Sequence, residues 1–109
     1  MKKTLTVLAA CALIGLSLSP RMAGAQPKAP AGEQDFQQHC ALCHSGGGNM
    51  INPAKTLQAK DLKANGIATP GDIVAKMRSP GPGMTTFDKR TVPDKTARAI
   101  AEYILKTFK

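Results

Sequence analysis

The chain has 109 residues, of which 42% are hydrophobic and 20% charged, with no tryptophan and a formal net charge of +8. This length allows one small domain, and the few aromatic residues leave little side-chain material for a core. The basic residues are dispersed and have no interleaved aromatics, which argues against a nucleic-acid-binding surface. A positive surface of this kind favours acidic partners.

The first 25 residues predict an export signal. They combine a positive "MKK", an apolar "TLTVLAACALIGLSLS" that is too short for a membrane span, and a small-residue cleavage site at Ala23–Ala25. We therefore expect residues 1–25 to be a cleaved signal peptide and residues 26–109 to form one domain in the periplasm, with no later segment able to span a membrane. "LAAC" also fits a lipoprotein cleavage site, which would anchor the chain through Cys11, but the apolar run left by that cut would be unusually short.

The rest of the chain predicts an all-α fold with substantial loops, because no segment alternates with a period of two for long. Apolar spacing at Phe36, Cys40 and Cys43 predicts a first helix that runs into the cysteines and ends at the glycines of "SGGGNMINP". A short second helix is expected in "AKTLQAKDLKANG", with Leu57 and Leu62 near one face.

Two further helices have clearer boundaries. Thr69, Pro70 and Asp72 form the sequence pattern of a capped helix start, and the Ser79-Pro80 step predicts its end. The last helix lies in "TVPDKTARAIAEYILKTF", where Thr91-x-x-Asp94 resembles a capping box. Its apolar positions recur at helical spacing, at Ala97, Ile100, Ala101, Ile104, Leu105 and Phe108.

The strongest motif is "CALCH", Cys40 to His44, which has the C-x-x-C-H spacing of covalent haem attachment. Two thiols three residues apart on one turn can both reach the vinyl groups along one side of a haem, and the adjoining imidazole can bind the iron. A haem is also a large apolar plate, so burying it would supply the core that the chain lacks. The motif therefore predicts thioethers at Cys40 and Cys43 and iron ligation by His44.

Other uses of these cysteines fit less well. A zinc site needs further ligands, and His39 is the only other histidine. A thioredoxin-like redox pair would need a βαβ context that the sequence lacks. A disulfide between Cys40 and Cys43 would close almost no loop and would therefore add little stability.

The second axial position, if it is not left open or taken by an external ligand, has four candidates in the chain: His39, Met50, Met77 and Met84. His39 precedes the cysteines on the same predicted helix, and a surface position is expected for it. Met50 closely follows the glycines and is expected to stay on the His44 side. Met77 has apolar helical neighbours, so core packing is expected.

Met84 lies in a different setting, the loop "SPGPGMTTF". Pro80 and Pro82 restrict the backbone, while Gly81 and Gly83 allow it to approach a ring closely. This rigidity lowers the entropy cost of presenting a sulfur, so Met84 is the favoured ligand.

Together these segments resemble the class I c-type cytochromes, most closely the short carriers of the algal and bacterial cytochrome c6 type. The similarity runs from Gly32 to Phe108 and includes "CALCHSGGGNMINPAKTL" and "GMTTFDKRTVPDKTARAIAEYIL". The resemblance implies a cytochrome c fold, all-α, with four to five helices and loops wrapped around one covalently attached haem c.

The resemblance also implies roles for particular residues. Cys40 and Cys43 would carry the thioethers, and His44 and Met84 would be the axial ligands. The carbonyl of Pro53 would accept the hydrogen bond that orients the His44 imidazole.

Three more residues match structural positions of the family. Gly32 and Phe36 match a first-helix pair that packs across the last helix, where Tyr103 stands at the aromatic position. Two residues depart from the pattern: Thr85 follows the ligand methionine where proline is common, and Pro93 replaces a frequent capping serine.

The implied function is that of a small soluble electron carrier, not an enzyme, which cycles Fe(II) and Fe(III) between redox partners. It would work in the periplasm or, alternatively, in a thylakoid lumen. Its partners are expected to have acidic docking surfaces, and the protein is expected to be a monomer. The alternative is a haem c protein with a labile Met84 bond, acting as a peroxidase-like enzyme or as a gas or redox sensor. No distal His or Arg stands out to assist peroxide cleavage, which disfavours the enzyme.

Overall fold

The computed structural model describes Gly24 and residues 28–109. The expected signal peptide, apart from Gly24, and the alternative lipid site at Cys11 lie outside the described residues. Within them the chain has no strand, so the predicted all-α class is confirmed. The helices are α1 Glu33–His39, α2 Ala41–His44, α3 Ala59–Ala64, α4 Pro70–Arg78 and α5 Asp94–Thr107. No helix in this part of the chain has the length and apolar character needed to cross a membrane.

Helix α1 meets helix α5 at Gly32, the residue that precedes α1. Gly32 has a φ of 86°, and a Cβ at this position would lie 2.1 Å from the carbonyl oxygen of Ala99. Only glycine adopts this left-handed conformation without strain and lets two backbones come so close. The predicted packing of Gly32 across the last helix is therefore confirmed.

An aromatic cluster extends this contact. The ring of Phe36, which is 1% exposed, lies 5.3 Å from the ring of Tyr103 and 5.5 Å from that of Phe108. Tilted rings at these distances attract one another beyond the area they bury. The cluster joins α1 to the C-terminal end of α5, as the resemblance implied for Phe36 and Tyr103.

Helix α5 carries the apolar face that its spacing predicts, and it packs against α4. Of the predicted positions, Leu105 and Phe108 are half-buried and the others are buried. The buried core of the described chain consists of Phe36, Leu62, Ile73, Met77, Val92, Ala97, Ile100, Ala101 and Ile104.

The start of α4 confirms the predicted cap. The Thr69 hydroxyl accepts from the Asp72 N–H at 3.2 Å, and the Asp72 carboxylate accepts from the Thr69 N–H at 2.9 Å. The capping box predicted for α5 is wrong, because the helix begins at Asp94 with Pro93 as its N-cap and no side chain caps it. The carboxylate of Asp94 instead pairs with Arg78 at 2.9 Å.

The first two helices differ from their predicted extents. The expected continuous helix through the cysteines breaks at Cys40, whose φ of −119° separates α1 from α2. The second helix starts later than expected, at Ala59. Its upstream residues form a loop because the Leu57 N–H donates to the Gly47 carbonyl at 2.8 Å, which holds Leu57 in a non-local contact.

We expect Gly32→Ala to destabilise the fold, because the new Cβ would enter the Ala99 carbonyl. Gly66→Ala is a matched control, since Gly66 has a φ of 73° but a Cβ there meets nothing within 4 Å. Both variants incur left-handed strain of about 1–2 kcal/mol. Overpacking against Ala99 should lower the free energy of unfolding of Gly32→Ala by roughly 1–3 kcal/mol more. Denaturant unfolding measures both, and equal losses would contradict the need for close approach at Gly32.

The cap of α4 should make stability depend on acid pH. Hydrogen bonds from the Ala68 and Thr69 N–H groups hold the pKa of Asp72 below its usual value of 3.8. The folded-state pKa is therefore the lower one, so the stabilisation is present above pH 3.8 and is lost as the pH falls through the folded value. Asp72→Asn should lower the Tm at neutral pH, and its difference from the wild type should shrink below about pH 4.

A pH-insensitive comparison is available at the same cap. Thr69→Ala removes a hydroxyl that does not titrate and should cost about 1 kcal/mol with much weaker pH dependence. A Tm difference for Asp72→Asn that persists unchanged into strong acid would contradict the assignment.

Candidate functional site

Cys43 and His44 lie on α2, which is a single turn, and Cys40 is the residue that precedes this helix. The carbonyl of Cys40 accepts from the N–H groups of Cys43 at 3.2 Å and of His44 at 2.9 Å. Both thiols are free rather than joined in a disulfide. The turn brings both sulfurs and the imidazole to one cavity, as the motif predicts.

A backbone carbonyl fixes the tautomer of His44. The Nδ1 atom lies 2.7 Å from the carbonyl oxygen of Gly48, and because a carbonyl can only accept, Nδ1 carries the proton and donates it. The lone pair of Nε2 is therefore available for a metal. The resemblance implied Pro53 as the acceptor, whereas the structure gives Gly48. The 3-10 turn Ser45–Gly47 returns the chain to His44 before Pro53 is reached, and Pro53 is exposed outside the cavity lining.

Asn49 organises the loop that follows Gly48. Its side-chain oxygen accepts from the N–H groups of Ile51 at 3.0 Å and Asn52 at 2.8 Å, and its amide donates to the Lys55 carbonyl at 2.8 Å. Asn49 was not among the predicted site residues. An Asn within a glycine-rich loop is a recognised turn signal, and it could have been found on that ground.

Met84 lies in the loop between α4 and α5. At the base of this loop the Phe87 N–H donates to the Met77 carbonyl at 2.9 Å. The loop also packs on the segment after the cysteines, since a Cβ on Gly83 would lie 3.1 Å from Ile51 Cγ2. Met84 is 36% exposed and lines the cavity.

The cavity has a volume of about 540 Å³, within the range of roughly 300–1,000 Å³ that cofactor sites occupy. Potential covalent and axial ligands converge on it from separate segments: Cys40, Cys43, His44 and Met84. Its apolar lining includes Leu57, Leu62, Ile67, Ile73, Met77, Phe87 and Ile104. The cavity therefore combines sulfur and imidazole donors with a largely apolar wall.

The other candidate ligands lie in different surroundings, and two of them, Met77 and His39, also line the cavity. Met77 is 4% exposed and belongs to the core, as expected, although it also lines the cavity. Met50 is 72% exposed and is not among the lining residues. The surface position expected for His39 is wrong, because it is half-buried, lines the cavity, and its ring lies 6.2 Å from that of Phe87 in an edge-on arrangement.

These residues fit a covalently attached haem. Burial raises the pKa of the Cys40 thiol to about 11, so the surroundings disfavour a charged sulfur but suit an uncharged thioether. In the described part of the chain, no three His, Cys, Asp or Glu side chains group to hold a metal ion by themselves.

Comparisons with known proteins agree with this site. Residues 27–104 match the family model described as cytochrome c oxidase, cbb3-type, subunit III. The chain is 38% identical over 86 residues to cytochrome c6 of Rippkaea orientalis, covering 79% of this chain and 74% of that one. It is 35% identical over 108 residues to cytochrome c6 of Gloeothece citriformis, covering 97% of this chain and 94% of that one.

A solved structure with substantial sequence identity has the same fold. Outer-membrane cytochrome F (OmcF) from Geobacter sulfurreducens superimposes with a TM-score of 0.70 and 44% identity, over 72% of this chain and 99% of that one. The covalent-attachment motif, the cavity and these similarities agree. The chain therefore belongs to the class I c-type cytochromes of the c6 type, and it is a small haem electron carrier with one covalently attached haem c.

Proposed function

We propose that this chain carries electrons in the periplasm through a haem c that is bound by Cys40 and Cys43 and ligated by His44 and Met84. The observation that carries the proposal is the cavity on which these four side chains converge. When bound, the haem supplies a one-electron couple between Fe(II) and Fe(III). With both axial positions filled by the protein, no open iron site would remain for a substrate.

His44 would be the permanent iron ligand, in contrast to the weaker ligand Met84. Its Nδ1–H donates to the Gly48 carbonyl at 2.7 Å, which orients the ring and leaves the lone pair of Nε2 available for the iron. The Gly48 carbonyl would therefore perform the orienting role that the resemblance assigned to Pro53.

Met84 would set the relatively high potential of the carrier. A thioether is uncharged, so it stabilises ferric iron less than an anionic ligand would, and the apolar wall adds to this effect. Buried members of that wall are Leu62, Ile73, Met77 and Ile104. The sulfur is a weak ligand, so its attachment would depend on the rigidity of the loop that carries it.

Electrons would leave through the mouth of the cavity. Exposed lining residues with apolar or basic side chains include the five that we call the rim patch: Leu42, Ile51, Lys55, Lys76 and Met84. Leu42 is 84% exposed and Ile51 is 59% exposed. A rim that combines exposed apolar groups with two lysines favours a partner that presents apolar and acidic side chains. A small contact of this kind would also release quickly.

The proposed location and state rest on the sequence. The signal-like residues 1–25 support export to the periplasm, with the thylakoid lumen or a lipid anchor at Cys11 as the alternatives. A monomer is proposed, since brief contacts with redox partners require a free rim patch.

Replacing each candidate methionine by leucine tests the axial ligand at nearly constant volume. Met84→Leu should abolish the long-wavelength sulfur-to-iron charge-transfer band of the oxidised protein. It should also lower the redox potential by on the order of 0.1 V, because axial ligands tune haem potentials strongly. Met77→Leu and Met50→Leu are the controls and should change neither property.

The same measurements distinguish an electron carrier from a sensor or a peroxidase-like enzyme. A wild-type protein that lacks the band and readily binds cyanide or carbon monoxide would contradict Met84 ligation and favour a sensor or a peroxidase-like enzyme. Retention of the band in Met84→Leu would also contradict it.

Neutralising the lysines of the rim patch tests the route of electron exit. Lys55→Gln combined with Lys76→Gln should slow oxidation of the reduced protein by the anion hexacyanoferrate(III) several-fold at low salt, because the attraction at the rim is lost. Lys106→Gln combined with Lys109→Gln removes the same charge outside the cavity lining and should have a smaller effect. Equal effects from the two pairs at every ionic strength would show that only net charge matters.

A further inference from the structure

Arg78, the last residue of α4, joins three parts of the structure. Its side chain is only 20% exposed. The Nη1 atom donates to the carbonyl of Phe87 at 2.9 Å, and Nη2 donates to the Asp94 carboxylate at 2.9 Å. One guanidinium therefore connects the end of α4, the loop after Met84 and the first residue of α5.

These contacts close the base of the loop that carries Met84. The Phe87 N–H donates to the carbonyl of Met77, and the Phe87 carbonyl accepts from Arg78. Both backbone polar groups of Phe87 are thus tied to consecutive residues at the end of α4. Residues 79–86, which include Met84, lie between these fixed points.

The guanidinium is held through Nη1 and Nη2 by Phe87 and Asp94. Arg78 Nε is buried and has no hydrogen-bond partner within the described chain. The pairing with Asp94 is favourable to both partners, because the hydrogen bond from Arg78 is the main cause that lowers the pKa of this carboxyl.

We propose that Arg78 is a positioning residue for Met84: it closes the base of the ligand loop and so limits how readily the Met84 sulfur leaves the iron. The inference rests on the proposed ligation of iron by Met84. When the loop is fixed, release of the sulfur gains little conformational freedom, so a competing ligand displaces it less readily. The planar guanidinium suits this task, since its two terminal nitrogens can donate to the Phe87 carbonyl and the Asp94 carboxylate at once.

The test compares Arg78→Leu with Arg98→Leu in the oxidised holo-protein. Arg98 is a matched control, because it also pairs with a carboxylate, Glu102 at 3.1 Å, but on the exposed face of α5. Imidazole is titrated as the competing ligand, and the exchange rate of the Phe87 amide is measured by NMR. Arg78→Leu should bind imidazole about tenfold more tightly or better, as expected for loss of a charge-assisted hydrogen bond. Its Phe87 amide should exchange faster, while Arg98→Leu should match the wild type in both measurements.

Other outcomes would overturn the inference. A purely structural role would lower the denaturant midpoint of Arg78→Leu but leave the imidazole affinity relative to Arg98→Leu unchanged. If Arg78→Leu does not fold, Arg78→Lys decides, because an ammonium keeps the charge but cannot span Phe87 and Asp94 as the fork does. An imidazole affinity for Arg78→Lys equal to that of the wild type would then refute the role.

Failure of the proposed ligand is distinguishable from failure of this inference. If Met84→Leu binds imidazole no better than the wild type, Met84 is not the ligand, whatever Arg78 does. If Met84→Leu binds imidazole better but Arg78→Leu does not, Met84 ligation stands and the positioning role of Arg78 is refuted.

Discussion

The structure depends on an apolar wall that serves the core and the cavity together. Leu62, Ile73, Met77 and Ile104 are each 5% exposed or less, and all four also line the cavity. A chain of 109 residues with only four aromatics cannot fill this space with its own side chains. An apolar cofactor bound there removes further surface from water, so its binding stabilises the fold. Folding and cofactor binding are therefore coupled through the same residues.

Helices supply the wall, but loops supply the atoms that orient the ligands. The Gly48 carbonyl holds His44, Asn49 fixes the segment after it, and the contacts of Phe87 close the loop of Met84. Each of these contacts is a hydrogen bond to or from backbone, so each loop is held without a regular element. This arrangement suits an electron carrier, because a site that moves little on oxidation requires little reorganisation.

Local rules account for the features that the sequence predicted correctly. The Thr69–Asp72 box, the apolar face of α5 and the C-x-x-C-H motif each depend on residues within one or two turns, so spacing alone reveals them. The errors share a different cause. The predicted capping box at Thr91 failed because Asp94 is taken by Arg78, sixteen positions away, and the surface position of His39 failed because Phe87 packs against it.

By itself, the sequence determined the helical class, the attachment motif and the restricted backbone around Met84, since these follow from covalent structure and local conformational preference. Only the tertiary structure decided that Gly48 rather than Pro53 meets His44, that Met84 rather than Met50 reaches the cavity, and that Arg78 closes the loop. The Met84 and Arg78 contacts join segments whose relative placement is set by packing, and the His44–Gly48 contact depends on how the chain turns at Ser45–Gly47. The spacing of residues along a chain does not specify which backbone carbonyl a distant side chain will reach.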